Sequence, residues 1–286
     1  MVDDHPAARP QSGLSQASVV WHAPAEFGIP RYMLVYGETV PGSIGGVRSA
    51  RDYFIAWAAE WRPLYAHVGG SPGAIRTLRE RGNGELVYDA DQYDWEDSFW
   101  RVPQFAIPHN MYTDGAHLRD LAERVGAVDY PLDAIPDPVW RFGPDAPRES
   151  RATGGSIAAA FPANAVRYDY DAATNSYPRF VSGGRAQYDA ATGARVAPRN
   201  VVVMLVDFEP LEDGSDKRRL EAEVVGSGTA WIATNGTTVK GTWRKASLTG
   251  PTVFLDAAGD PVTFATGQTL VQVVPTGTPV HVVAGR

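Results

Sequence analysis

Three times in its second half the chain writes the same short turn: Asp171-Ala-Ala-Thr-Asn175, Asp189-Ala-Ala-Thr-Gly193 and Asp256-Ala-Ala-Gly259. An aspartate at the first position can accept hydrogen bonds from the turn's own amides, and Asn or Gly near the end tolerates the positive φ that hairpin loops need. Asn235-Gly236, between alternating runs at 229–234 and 237–243, is a fourth signal, of the two-residue hairpin kind. Turns this closely spaced leave room for short antiparallel strands, with 200–206 and 270–274 as buried apolar ones. The second half is expected to be mostly antiparallel β.

The first half carries a different period. Phe54, Ile55, Trp57, Ala58 and Trp61 recur at helical spacing and predict a helix over 51–62, with Ser49 as its cap. Ser71, Pro72 and Gly82 supply the cap, the first-turn proline and the terminating glycine of a second helix, whose Ile75 and Leu78 face the core. A third helix spans 115–125, capped by Thr113 or Asp114 and stopped by Gly126, with Leu118, Leu121, Ala122 and Val125 as its apolar stripe. Strand-type runs lie at 18–21, 32–36 and 64–68. Pro131, Pro136, Pro138, Pro144 and Pro147 crowd an aperiodic stretch over 131–150 that reads as a linker. The expected fold class is α+β. An N-terminal α/β-type domain over 1–145, with three helices on a mixed sheet, precedes a mostly antiparallel β domain over 146–286.

Composition narrows function by exclusion. A chain of 286 residues, 44% hydrophobic and 21% charged, is globular in character. A net charge of -7 argues against sequence-independent nucleic-acid binding, which needs a broad basic surface. The absence of cysteine excludes disulfides, thiolate metal sites and cysteine nucleophiles. No apolar run is long enough to span a bilayer, and Met1-Val-Asp-Asp-His leads into polar residues without a signal-type apolar core. Arginine far outnumbers lysine (Lys217, Lys240, Lys245), which reads as coding bias or as a need for planar recognition of oxyanions.

Four segments could carry chemistry. In Gly45-Gly46-Val47-Arg48-Ser49-Ala50-Arg51-Asp52, glycines lead into a helix start that bears two arginines. Free amides there favour an anion, and cations are electrostatically out of place unless Arg48 or Arg51 pairs with Asp52 or Glu26. In His67-Val-Gly69-Gly70-Ser71-Pro72, strand, paired glycines and a capped helix follow in order; an ordinary strand-to-helix turn is the plainer reading, and the P-loop pattern is missing. Pro108-His109-Asn110-Met-Tyr112 closes an aromatic-rich stretch (Tyr93, Trp95, Phe99, Trp100, Phe105) that suits either core filling or the wall of a sugar groove. Arg9-Pro-Gln11-Ser12-Gly13 has the polar, turn-rich make-up of a loop reaching into a site, or simply of a surface loop. No His spacing typical of a metal site occurs, no cofactor motif is present, and no Gly-x-Ser-x-Gly elbow marks a serine nucleophile.

Taken in order, these segments resemble a known family. Asp4-His5-Pro-Ala-Ala-Arg9-Pro-Gln11-Ser12-Gly13, Glu26-Phe-Gly28-Ile-Pro-Arg31, Ile44-Gly-Gly-Val47-Arg48-Ser49-Ala-Arg51, His67-Val-Gly-Gly-Ser71-Pro and Pro108-His109-Asn110-Met-Tyr112 are similar to the YerB-like lipoprotein family, defined by a domain of unknown function. Asn200-Val-Val-Val203, Gly226-x-Gly228, Lys240-Gly-Thr-Trp243 and Gly267-Gln-Thr269 look like its C-terminal partner domain. The resemblance implies a bacterial extracytoplasmic protein, usually lipid-anchored, with the anchor expected only in a full-length precursor. Family members usually carry a signal segment with a lipid-accepting cysteine and begin with a complete first strand, of which Met1-Val2 looks like the stub.

The preferred functional expectation is a cell-envelope binding protein. In it Arg9, Gln11, Ser12, Arg31, Arg48, Ser49, Arg51, His67, Ser71, His109, Asn110 and Tyr112 form an Arg/Ser/His cleft for an anionic or glycan ligand. The alternative is a transferase or hydrolase acting on a phosphodiester or pyrophosphate-linked envelope polymer. Arg48 and Arg51 would then stabilise developing charge while Asp52 or His109 acts as base. Arg48–Asp52, followed by a glycine pair, is faintly similar to the arginine-bearing segment of LytR-type wall-polymer transferases, over too short a stretch to carry the alternative. A third reading is a structural interaction module, whose polar segments satisfy one another internally.

Overall fold

A computed structural model describes residues 1–37, 39–127, 140–160 and 163–286; Pro131, Pro136 and Pro138 of the expected linker lie outside them. The centre is an eight-stranded sheet, whose strands we number in chain order: β1 (Val2–Asp3), β2 (Val19–Pro24), β3 (Pro30–Val35), β4 (Asn200–Val206), β5 (Gly226–Thr234), β6 (Thr237–Lys245), β7 (Thr252–Leu255) and β8 (Thr269–Pro275). Their spatial order is β1-β3-β2-β8-β4-β5-β6-β7. β8 runs parallel to both β2 and β4, and the other neighbours are antiparallel. Strands from both sides of residue 146 therefore share one hydrogen-bonded sheet.

The run Val201–Met204 is buried throughout because both faces of β4 are covered. Val202 and Met204 pack with Trp21, Phe54 and Trp57 on the helical side. Val201 and Val203 pack on the other side with Ile157, Tyr168 and Val166. Those last residues belong to a five-stranded antiparallel sheet, ordered 185–186, 179–181, 165–169, 156–160 and 280–283.

Helix α1 (Asp52–Ala58) is shorter than its periodicity predicts and is capped by Arg51, with no side-chain cap bond, rather than by Ser49. Tertiary demands override the local pattern at both ends. The Ser49 carbonyl accepts from Arg31 at 3.0 Å. Beyond Ala58 the chain turns so that Glu60 reaches Lys245 at 2.9 Å, a pair whose side chains are almost sealed from solvent. Helix α2 (Pro72–Arg81) keeps all three expected marks: Ser71 Oγ accepts from Ala74 N at 3.3 Å, Pro72 opens it, and Gly82 N bonds Leu78 O at 2.7 Å. Leu78 is buried, whereas Ile75 is half-buried. Helix α3 (Gly115–Arg124) is capped by Asp114, whose carboxylate accepts from His117 N at 2.9 Å; of its stripe only Leu121 is fully buried.

The hairpin signals form as read. Asp171, Asp189 and Asp256 accept from the amides of Ala173, Ala191 and Ala258 at 2.8–2.9 Å. Asn175, Gly193, Gly259, Asn235 and Gly236 all take positive φ. The fold is thus mixed α+β, with three helices against mostly sheet.

Trp21 of β2 and Trp57 of α1 stack with centroids 4.8 Å apart, both with zero exposure, inside a cluster that also holds Val271 of β8. Because that core draws on both halves of the chain, urea unfolding followed by tryptophan fluorescence and by far-UV circular dichroism should give one coincident transition. Trp57→Ala should lower stability by about 3–5 kcal/mol while preserving that coincidence.

Candidate functional site

The polar centre is built on two consecutive aspartates. β1 pairs with β3 through Val2↔Tyr32 and Asp3↔Arg31, and neighbouring strand residues face opposite ways. Asp3 and Asp4 consequently serve different surroundings.

Asp4 is fully buried. Its Oδ1 accepts from Arg9 Nε at 2.9 Å and Gln11 Nε2 at 3.0 Å, and its Oδ2 from His22 Nε2 at 2.8 Å and Asn164 Nδ2 at 2.9 Å. Burial alone would raise this carboxyl. The His22 hydrogen bond and the charges of Arg9 and Arg179 outweigh it and hold Asp4 well below the usual carboxylate range. His22 is lowered by burial and by Arg179, whose Nη2 lies 3.2 Å from its Nδ1; the same Nδ1 faces Gln272 Oε1 at 2.9 Å, so the ring stands between the Asp4 carboxylate and the Arg179 cation. Arg179 is itself sealed, donating to Tyr32 at 2.6 Å, Tyr168 at 3.0 Å and Gln187.

Asp3 faces outward. Its Oδ2 accepts from Arg48 Nε at 3.1 Å and His109 Nδ1 at 2.7 Å, and its Oδ1 from His5 N at 3.0 Å. The His5 ring stacks on His109, centroids 4.5 Å apart and 12° from parallel. His5 Nδ1 accepts from Ala7 N at 3.1 Å, which places the proton of its neutral ring on Nε2. Partial burial and the adjacent His109 lower the His5 pKa. The Nε2 atoms of both rings have no partner among the described residues, and the side chains of Arg48 and His109 are 25% and 14% exposed. Gly45 and Gly46 permit this arrangement. A Cβ at Gly46 would strike the His109 carbonyl, and one at Gly45 would strike the Tyr112 ring. The paired glycines act here through close packing.

The residues singled out from sequence divide into groups. Arg9, Gln11, Arg48 and His109 gather on the Asp3–Asp4 pair. Arg31 and Arg51 gather on Glu26, Arg31 at 3.2 Å, with Ser49 contributing its carbonyl to Arg31. Burial tends to raise Glu26, but Arg31 and Arg51 outweigh it and lower its pKa; burial and Arg31 lower Arg51 to about 10. Arg51 thus takes the Glu26 partner considered in the plainer reading. Ser71 caps α2 and lies 3.4 Å from Asp52, which Thr77 also bonds at 3.1 Å. His67 is sealed between Asp89 at 2.7 Å and the Gly69 carbonyl at 2.8 Å. Asn110 accepts from Arg101 at 2.7 Å, Ser12 bridges Gly45 through its backbone, and Tyr112 is buried.

Asp3, Asp4, His5 and Arg179 were missed as site residues, although Asp4 and His5 stand in the family-like segment. The available signal was an acidic doublet following apolar Val2, since carboxylates set in a strand need dedicated partners.

Removing the buried Asp4 carboxylate strands Arg9 and Arg179, so Asp4→Ala should cost roughly 3–5 kcal/mol, and Asp3→Ala, whose partners Arg48 and His109 can turn to water, only about 1–2 kcal/mol, by denaturant titration. With its folded pKa depressed, Asp4 contributes stability that is complete above its unfolded value of 3.8 and is lost as pH falls through the folded value. Acid unfolding of Asp4→Asn should therefore show a shallower loss of stability below pH 4 than the parent.

Residues 1–128 match the model described as "Protein of unknown function (DUF3048) N-terminal domain", and residues 157–271 match its C-terminal domain. A Bacillus subtilis protein named "Putative lipoprotein YerB" is 31% identical over 278 residues, covering 96% of this chain and 80% of that protein. The crystal structure of the Bacillus subtilis YerB protein aligns with a TM-score of 0.82 at 26% identity, covering 98% of this chain and 91% of that one. The ordered motifs and both matched segments agree: the chain belongs to the DUF3048 family and is YerB-like over nearly its whole length.

Proposed function

We propose that this protein is an extracytoplasmic, envelope-associated binding protein whose His5–His109–Arg48 face takes an anionic group, such as the phosphate or carboxylate of a glycan. One observation carries the reading: Asp3 fixes His109 through Nδ1 and Arg48 through Nε, leaving the His109 Nε2 edge and the rest of the guanidinium free of protein partners among the described residues. The outer guanidinium of Arg48, beside the Nε2–H donor of the His5 ring that stacks on His109, suits an oxyanion. Asp3 offsets the Arg48 charge, so an anion would be held mainly by directed hydrogen bonds from the outer guanidinium and His5 Nε2.

The name of the YerB relative supports an envelope address, with a lipid anchor in a longer precursor. Among the described residues no helix is long and apolar enough to cross a membrane.

The enzymatic alternative, a transferase or hydrolase on a phosphodiester or pyrophosphate-linked envelope polymer, is favoured by one feature. A carboxylate holding the Nδ1 proton of an imidazole leaves Nε2 as a proton acceptor, so His109 rather than the engaged Asp52 would be its base. Turnover of such a polymer, abolished by His109→Ala with folding intact, would establish it.

Titration calorimetry with a phosphate-bearing envelope polymer should show at least a tenfold loss of affinity, about 1.4 kcal/mol, for Arg48→Ala and for His109→Ala. Arg51→Ala should bind like the parent but melt lower, because its partner is the internal Glu26. Equal affinity of the parent and the Arg48 and His109 variants would sink the binding proposal and favour the interaction-module reading.

A further inference from the structure

The two stacked imidazoles at the Asp3 face have opposite hydrogen-bonding characters. Ala7 N donates to His5 Nδ1 at 3.1 Å, so the proton of the neutral ring sits on Nε2 and that edge is a donor. His109 Nδ1 lies 2.7 Å from Asp3 Oδ2, and a carboxylate only accepts. Nδ1 therefore carries the proton, and the Nε2 edge of the neutral His109 ring is a bare acceptor. Each tautomer is imposed by a protein partner on the inner nitrogen, and neither outer nitrogen has one among the described residues. The rings lie 12° from parallel with centroids 4.5 Å apart, so donor and acceptor belong to adjoining surfaces. Arg48 Nε binds the same Asp3 oxygen as His109 Nδ1, at 3.1 Å, which sets the guanidinium beside the acceptor ring.

An anion that presents lone pairs alone matches only part of this surface. Arg48 and His5 Nε2 offer it protons, but His109 Nε2 sets a lone pair against it, and two facing acceptors leave a hydrogen bond unmade. A hydroxyl beside the charged group removes the conflict. We propose that the His5–His109 pair makes this site selective for an anion with a neighbouring hydroxyl, the pattern of a phosphorylated sugar or polyol. The anionic oxygens accept from Arg48 and His5 Nε2, and the hydroxyl donates to His109 Nε2. This inference rests on the anion-binding reading and narrows it: His109 is the residue that reads the hydroxyl, and Asp3 is a positioning residue that fixes its tautomer. A site built to bond a hydroxyl disfavours the analogue that lacks one, because its own group is left unpaired. The His109 side chain is 14% exposed, so water satisfies part of that need and the preference is several-fold, below the ratios of sealed sites.

The matched probes are 2-hydroxyethyl phosphate and propyl phosphate, which have equal charge and differ by a hydroxyl in place of a methyl. They are titrated calorimetrically at about pH 8.5, well above the ordinary imidazole range. The parent should bind the hydroxyl ligand roughly fivefold more tightly. In His109→Phe, which keeps a ring over His5 and removes the acceptor, the two affinities should converge. A purely structural role for His109 would instead lower both by the same factor and keep their ratio. Ring-nitrogen NMR correlation spectra of the parent, assigned by substituting each histidine, should show the proton on Nε2 of His5 and on Nδ1 of His109. Equal parent affinities, a ratio retained in folded His109→Phe, or the same tautomer at both rings would overturn the hydroxyl selectivity while anion binding stands. Failure of both phosphates to bind would overturn the anion reading itself, and this inference with it.

Discussion

The Asp4–His22–Arg179 contact is the constraint on which the rest of this structure turns. A carboxylate and a guanidinium sealed from water are tolerable only when every donor and acceptor around them is in place. Here the N-terminal half supplies Asp4, Arg9, Gln11, His22 and Tyr32, and the C-terminal half supplies Asn164, Tyr168, Arg179 and Gln187. Neither half can satisfy the network alone. The parallel pairing of β2 with β8 places the two sets of residues on facing elements, and the apolar clusters on both sides of the central sheet then draw on both halves.

Several features that suggest ligand chemistry in isolation turn out to join distant segments. The arginine at the start of α1 opposes the helix dipole, and Glu26 supplies the compensating charge from another element. The Asp189 turn caps its own amides and also accepts from Gly13 N at 3.2 Å and Ser15 N at 2.7 Å, so a hairpin of the second half fixes a loop of the first. The Gly45-Gly46 pair makes room for His109 and Tyr112. At the candidate site, what remains open among the described residues is small: the His5 and His109 edges and the outer part of Arg48.

Sequence and structure agree best where the deciding interactions are local. The Asp turns, the Asn235-Gly236 hairpin and the Ser71–Pro72–Gly82 helix all depend on hydrogen bonds and dihedral preferences spanning two to five residues, and all formed as read. The run over 51–62 had the right period but the wrong ends, because Arg31 claims the Ser49 carbonyl and Lys245 claims Glu60. In the candidate site, Arg48 was legible as a cation at a glycine-led helix start and His109 as a titratable group closing an aromatic-rich stretch. The division of labour between Asp3 and Asp4 was not, since strand alternation separates their faces only once β1 has docked on β3.

By itself the sequence determined the α+β class, the turns, the polarity of each segment and the kinship with the YerB-like family. Tertiary structure decided which carboxylate each arginine takes, that Arg48 and Arg51 serve different partners, and that one sheet runs through both halves of the chain. The physical reason is range. Capping and turn formation are settled among neighbours along the backbone, whereas ion pairing in a buried network depends on sheet register, and register is fixed only when strands hundreds of residues apart have met.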